Sequence, residues 1–124
     1  MTPRHAIFRR IYEECLAVTP SVYDYAPGGD ALLPFIHVAN SSDNPGAVRE
    51  MEGKIRTFIR LYGRRTERGL LDNWTVQLHG RLNGVKEAHG YSTHLSFFQA
   101  QDMELQSEEP TVGIVILLEF DYNN

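Results

Sequence analysis

Apolar residues recur along this chain first at helical spacing and later at alternating spacing. Ile7, Phe8, Ile11, Tyr12, Cys15 and Leu16 fall on one stripe of a helix predicted over residues 3–18. Thr2 suits the capping position and Pro3 the first helical one, where a missing N–H costs nothing. Arg9, Arg10, Glu13 and Glu14 take the other face, and Arg10 and Glu14 are spaced to pair. Thr19-Pro20 ends the helix, because the residue before a proline avoids helical backbone.

Val22-Tyr23-Asp24-Tyr25 is a short β-prone stretch, and Pro27-Gly28-Gly29-Asp30 has loop composition. Residues 34–39, from Pro34 to Ala39, predict a second strand, followed by a polar loop from Asn40 to Ala47. Residues 51–62 fit two periods. Met51, Ile55, Phe58, Ile59 and Tyr62 suit a helix. Ile55, Thr57, Ile59 and Leu61 against Lys54, Arg56, Phe58 and Arg60 suit a strand with a basic outer face. The β-branched and aromatic content favours the strand.

Residues 63–69 form a charged connection. Leu70, Leu71, Trp74, Gln77, Leu78, Arg81 and Leu82 then follow a helical period, with Gly84 as a C-terminal cap and Trp74 as a core anchor. Residues 85–90 are a turn region. Residues 91–106 predict one long or bent strand, or two with a break near Ala100-Gln101-Asp102, and residues 107–110 a turn. The last strand carries Val112, Ile114, Ile116, Leu118 and Phe120, beginning buried on both faces and ending half exposed. This order predicts a single α+β domain, a mainly antiparallel sheet with two helices on one face.

Composition narrows the function. With 124 residues and 42% hydrophobic content, the chain has room for one core. Cys15 is the only cysteine, so no internal disulfide can form and a reducing cytoplasm is the natural setting. The N-terminus does not resemble a signal peptide, and no apolar run approaches the roughly 20 residues that cross a bilayer. The net charge of −4 is unlike that of a dedicated nucleic-acid binder. It is also uneven. Residues 1–70 hold ten Lys/Arg against eight Asp/Glu, residues 71–124 two against eight. In a ring, that asymmetry places opposite signs on opposite faces.

No phosphate-cradling loop, nucleophile elbow or zinc-protease signature occurs. The histidines His5, His37, His79, His89 and His94 match no common zinc spacing. His79 is the best general-base candidate, but it lacks a matched acid, Asp72 lying a helical face away. Arg49, Lys54, Arg56, Arg60, Arg64, Arg65 and Arg68 make a basic segment: a solvated face, or a surface that docks on an acidic partner. Asp102, Glu104, Glu108 and Glu109 cluster near a hairpin tip: a solvated tip, or one projecting into a lumen where it repels DNA.

Val22-Tyr23-Asp24-Tyr25, then the run from Pro27 to Val38, resembles the opening of bacteriophage tail terminator (tail completion, head-to-tail joining) proteins. There a Val-Tyr-Asp precedes a proline and a Pro-Tyr-Val strand closed by glycine. The polar loop, long strand, helix and two closing strands ending in Glu119-Phe120-Asp121-Tyr122 continue the likeness. The glycine after the second strand is absent, because Val38 is followed by Ala39-Asn40. The resemblance implies a non-enzymatic virion protein of the tail or neck, assembled in the host cytoplasm without cofactor or metal. It implies a homo-hexameric ring that caps the tail tube protein and meets the head connector or stopper. Double-stranded DNA passes through its lumen without sequence-specific binding. Candidate interface residues are then Ser41, Ser42, Asp43, Asn44, Arg49, Arg56, Arg60, Arg64, Arg65 and Arg68, with Asp102, Glu104, Glu108 and Glu109 facing the lumen.

Two alternatives stay open. One is a head-closure or stopper protein or another minor virion protein, also a small β-rich component. The other is a small curved-sheet enzyme or ligand-binding domain. That reading requires a pocket holding His79 or His94 near an acid, lined by Phe97, Phe98 and Trp74.

Overall fold

A computed structural model describes residues 1–28, 31–39, 49–51 (backbone only), 53–103 and 111–123. The elements are α1 (Pro3–Leu16), β1 (Val22–Tyr23), β2 (Phe35–Val38), β3 (Arg49–Met51), β4 (Lys54–Arg64), α2 (Arg68–Asn83), β5 (Glu87–Ala88), β6 (Tyr91–Met103) and β7 (Thr111–Asn123). The fold is the α+β domain expected from the pattern. Seven strands form one sheet in the order β1-β2-β4-β7-β6-β5, with β3 paired to the start of β4. All pairs are antiparallel except β1 with β2. Parallel neighbours cannot be joined by a tight hairpin, so the chain between Tyr23 and Phe35 returns to the same end of the sheet before β2 begins.

The first helix begins as predicted: the Thr2 hydroxyl accepts from the His5 N–H at 3.2 Å, and Pro3 follows it. Its buried stripe is narrower than the sequence pattern. Ala6, Ile7, Ile11 and Cys15 are buried, Phe8 and Tyr12 half-buried, and Leu16 is exposed. The ambiguous segment is a strand. Ile55, Thr57, Ile59 and Leu61 are buried while Lys54 and Arg56 are exposed, and Phe58 and Arg60 are half-buried on the same outer face. It starts later than residue 51 because Gly53, at φ 74°, turns the chain between β3 and β4.

The charged connection at 63–69 is shorter than predicted. The fourth strand runs through Arg64 and the second helix starts at Arg68, leaving a single 3₁₀ turn over Arg65–Glu67. Two residues make this tight junction possible. The Glu67 carboxylate accepts the Arg64 main-chain N–H at 2.8 Å. Gly63 lets Leu71 close on the strand, since a Cβ there would sit 3.2 Å from the Leu71 side chain. Leu71, Trp74, Leu78 and Leu82 of α2 are buried, so Trp74 is a core residue.

The predicted turn at 85–90 contains a small hairpin, β5 to β6. His89 and Gly90 both take positive φ, the geometry of a two-residue turn that follows strand twist. The sixth strand continues unbroken through Ala100-Gln101-Asp102. Its irregularity lies earlier, as a bulge between Leu95 and Phe97. The helices and one sheet face share a single core, in which Ile7, Ile11, Ile36, Ile59, Leu78, Ile116, Leu118 and Phe120 are nearly or wholly inaccessible. The last strand is buried on both faces only near its start, at Gly113 and Ile114. Ile114 and Ile116 are buried beneath the helices, whereas Val115 is half-buried and Leu117 is 38% exposed. Its apolar outer positions reflect its central place between β4 and β6, on a sheet face that no described element covers.

Candidate interaction surface

The face of the sheet opposite the helices is built from alternate residues of β4, β7 and β6. Register places them in rows. Lys54 lies opposite Asp121 and Arg56 opposite Glu119, Phe58 opposite Leu117, and Arg60 opposite Val115. The sixth strand extends these rows with His94, Phe97, Gln99 and Gln101. One end of the face is therefore charged and the middle apolar. At the other end Tyr23, Phe35 and Tyr62 form a chain of ring contacts, with centroids 5.5 and 5.0 Å apart.

The charged rows are internally satisfied. Lys54 Nζ donates to Asp121 Oδ1 at 3.0 Å, and Arg56 donates from Nε and Nη2 to Glu119 Oε2 at 3.2 and 3.1 Å. The Asp121 hydrogen bond and charge, with Glu119 behind them, hold the Lys54 ammonium above its ordinary pKa. Such solvent-facing pairs add little stability, but a two-residue slip would set a charge opposite an apolar side chain, Glu119 opposite Phe58 or Arg56 opposite Leu117. In the middle, Phe97 is 40% and Leu117 38% exposed, and Arg60 lies over the Phe58 ring at 4.4 Å from its centroid.

This geometry interleaves charges from the two halves of the chain on one sheet face. The basic strand from the first half of the chain is the direct neighbour of the acidic end of the last strand. Arg81 likewise bonds Glu14 at 3.1 Å, joining the two helices. The sequence asymmetry is cancelled by pairing within the fold at these positions.

The predicted interface residues fare differently. Arg56 is engaged by Glu119. Arg68 bonds Asp102 at 3.3 Å, so a residue assigned to a docking surface and one assigned to a lumen touch each other. Arg64 reaches Glu67 at 3.4 Å. Arg65 is exposed and has no ion pair among the described residues, and Arg60 has only its ring contact there. Arg49 lies on β3 opposite Arg56, but its side chain is outside the described residues. Ser41, Ser42, Asp43, Asn44, Glu104, Glu108 and Glu109 also lie outside them.

The pocket required by the enzyme alternative is not assembled. Phe98 lies on the helix side of the sheet, stacked on exposed His79 at 4.4 Å. Phe97 lies on the opposite side, as does His94, and Trp74 is buried in the core. Among the described residues no group of three or more His, Cys, Asp and Glu is placed to hold a metal ion, and no helix is long and apolar enough to cross a membrane. Cys15 lies on the buried face of α1, and burial with the nearby Glu14 charge pushes its thiol up to about 12. The sequence pattern did not bring out the outward-facing apolar cluster of Phe58, Leu117 and, one row along, Phe97. The signal was present in Val115 and Leu117, which alternate in phase with Glu119 and Asp121 and so share their outward face.

No family model matches the chain, and no curated protein matches it. A solved structure does: a chain of the virion of a native gene transfer agent particle shares its fold, with a TM-score of 0.64. The two align over 97% of this chain and 96% of that one at 13% sequence identity.

Proposed function

We propose that this chain is a structural protein of a tailed, phage-like virion, and more specifically a tail terminator. Six copies close into a ring that caps the tail tube and meets the head connector, and double-stranded DNA passes through the lumen. The ring sits at the neck of the particle and assembles in the host cytoplasm. The observation that carries this reading is the shared fold with a virion chain along nearly the full length of both. Residue likeness at Val22-Tyr23-Asp24 and Pro34 to Val38 supports it independently.

The surface suits contact more than turnover. A sheet face that no described element covers, with Phe58, Phe97 and Leu117 at its centre, offers apolar area for a neighbour. Of the arginines predicted to lie at an interface, Arg60 and Arg65 have no ion pair among the described residues, so they are available to an acidic partner. A head-to-tail contact of one subunit on the next closes into a ring when its rotation divides a full turn.

The test is a joining assay with tail tubes and connector-bearing heads. Arg60→Glu with Arg65→Glu should abolish joining while circular dichroism stays unchanged. Loss of the gene should give tails of uncontrolled length. Tails of normal length that fail only to join heads would mark a stopper and overturn the terminator assignment.

A further inference from the structure

Among the described residues, the sixth strand is paired on one side only for most of its length. The fifth strand covers Tyr91 and Ser92, and Thr93 still donates to the Lys86 carbonyl at 3.0 Å. Beyond Thr93 no described strand lies on that side. That hydrogen bond also fixes which groups point outward. Thr93 faces the core, so core-facing residues of this strand aim their N–H and C=O away from β7. After the bulge those residues are Phe98, Ala100 and Asp102, opposite Leu118, Ile116 and Ile114. Folded proteins usually guard so long an edge with lysine, proline or a covering element. Residues 94–103 contain neither lysine nor proline, and the one carboxylate, Asp102, is bonded by Arg68.

We propose that the free chain forms a two-fold dimer by antiparallel pairing of this β6 edge with the same edge of a second copy. Length selects the occupant. The other short strands, β1, β3 and β5, have two or three residues each, so only β6 offers a matching edge among the described elements. The side chains select the register. An axis through Gln99 sets Phe98 against Ala100 of the partner subunit, large against small, on the helix side. It sets Phe97 against Gln101 of the partner subunit on the bare side and brings no like charges face to face. The outward N–H and C=O groups of Phe98 and Ala100 then pair, and both bare faces join into one. A cyclic ring contains no such two-fold axis within one layer, so the dimer belongs to the protein before assembly. It goes beyond the terminator reading and does not depend on it.

Sedimentation velocity on the purified full chain tests the pairing. The wild type should sediment as a dimer at micromolar concentration. Ala100→Pro removes an outward N–H that β7 does not use, so it should give monomer with an unchanged far-UV circular dichroism spectrum. Across the axis Gln99 meets its own copy as a non-hydrogen-bonded pair, with Cα atoms about 4.5 Å apart, within disulfide range. Gln99→Cys should therefore oxidise to a covalent dimer at least tenfold faster than Gln101→Cys, and buried Cys15 stays silent in both. A monomeric wild type, or equal cross-linking of the two cysteine variants, overturns the proposal. So does a monomer whose Ala100→Pro form fails only to join virion parts, because the edge would then serve another protein. Failure of the ring reading leaves these outcomes untouched.

Discussion

Adjacent residues on the last strand offer a sharp test of the two-faced sheet. Ile116 is fully buried between the sheet and the helices, and Leu117, next along the chain, is 38% exposed on the bare face. Ile116→Ala removes core methyl groups from a site enclosed on every side. It should cost about 2–5 kcal/mol, through lost transfer energy plus the cavity left behind. Leu117→Ala leaves no enclosed cavity, since its space opens to solvent. Only the buried part of the side chain counts, on the order of 1 kcal/mol. Urea unfolding of both variants should show a gap of about 2 kcal/mol at equal m-value, or a melting difference of roughly 5–10 °C for a domain of this size. Equal losses would refute the reasoning, because Leu117 would then be covered in the folded protein.

Three further expectations follow from single residues. Thr57 is 5% exposed and its hydroxyl has no hydrogen-bond partner among the described residues, so Thr57→Val should stabilise the fold by about 1 kcal/mol in the same urea assay. Gly80 lies inside α2 with nothing near its missing Cβ, so Gly80→Ala should raise stability by roughly 0.5–1 kcal/mol. Cys15, with its thiol pushed up to about 12 from 9.0, should resist a disulfide reagent at pH 8 in the native state and react at once in denaturant. The unfolded thiol loses its proton first, so this group's contribution to stability is intact below pH 9 and declines as pH rises from there toward 12.

The elements were largely legible because each has a clean period or a named stop. Thr2-Pro3 starts the first helix, Thr19-Pro20 follows it, and Ile55 to Leu61 alternate without a fault. What stayed hidden was which strand sits where. The last strand inserts between β4 and β6, a long-range choice that no local pattern encodes. That insertion decides the chemistry of the surface. It sets Glu119 and Asp121 beside Arg56 and Lys54, and it turns Leu117 outward beside Phe58. Arg68 and Asp102 are 34 positions apart in sequence, and only the packing of α2 along β6 reveals that they touch. The basic segment was visible as composition, but its division into engaged and free cations was not.

The place of this chain at a virion neck is measured most directly by a cryo-electron-microscopy reconstruction of particles assembled with it. Six copies in one ring between the tail tube and the head connector are the predicted result. Density for the chain at any other place in the particle, or its absence from purified particles, would contradict it.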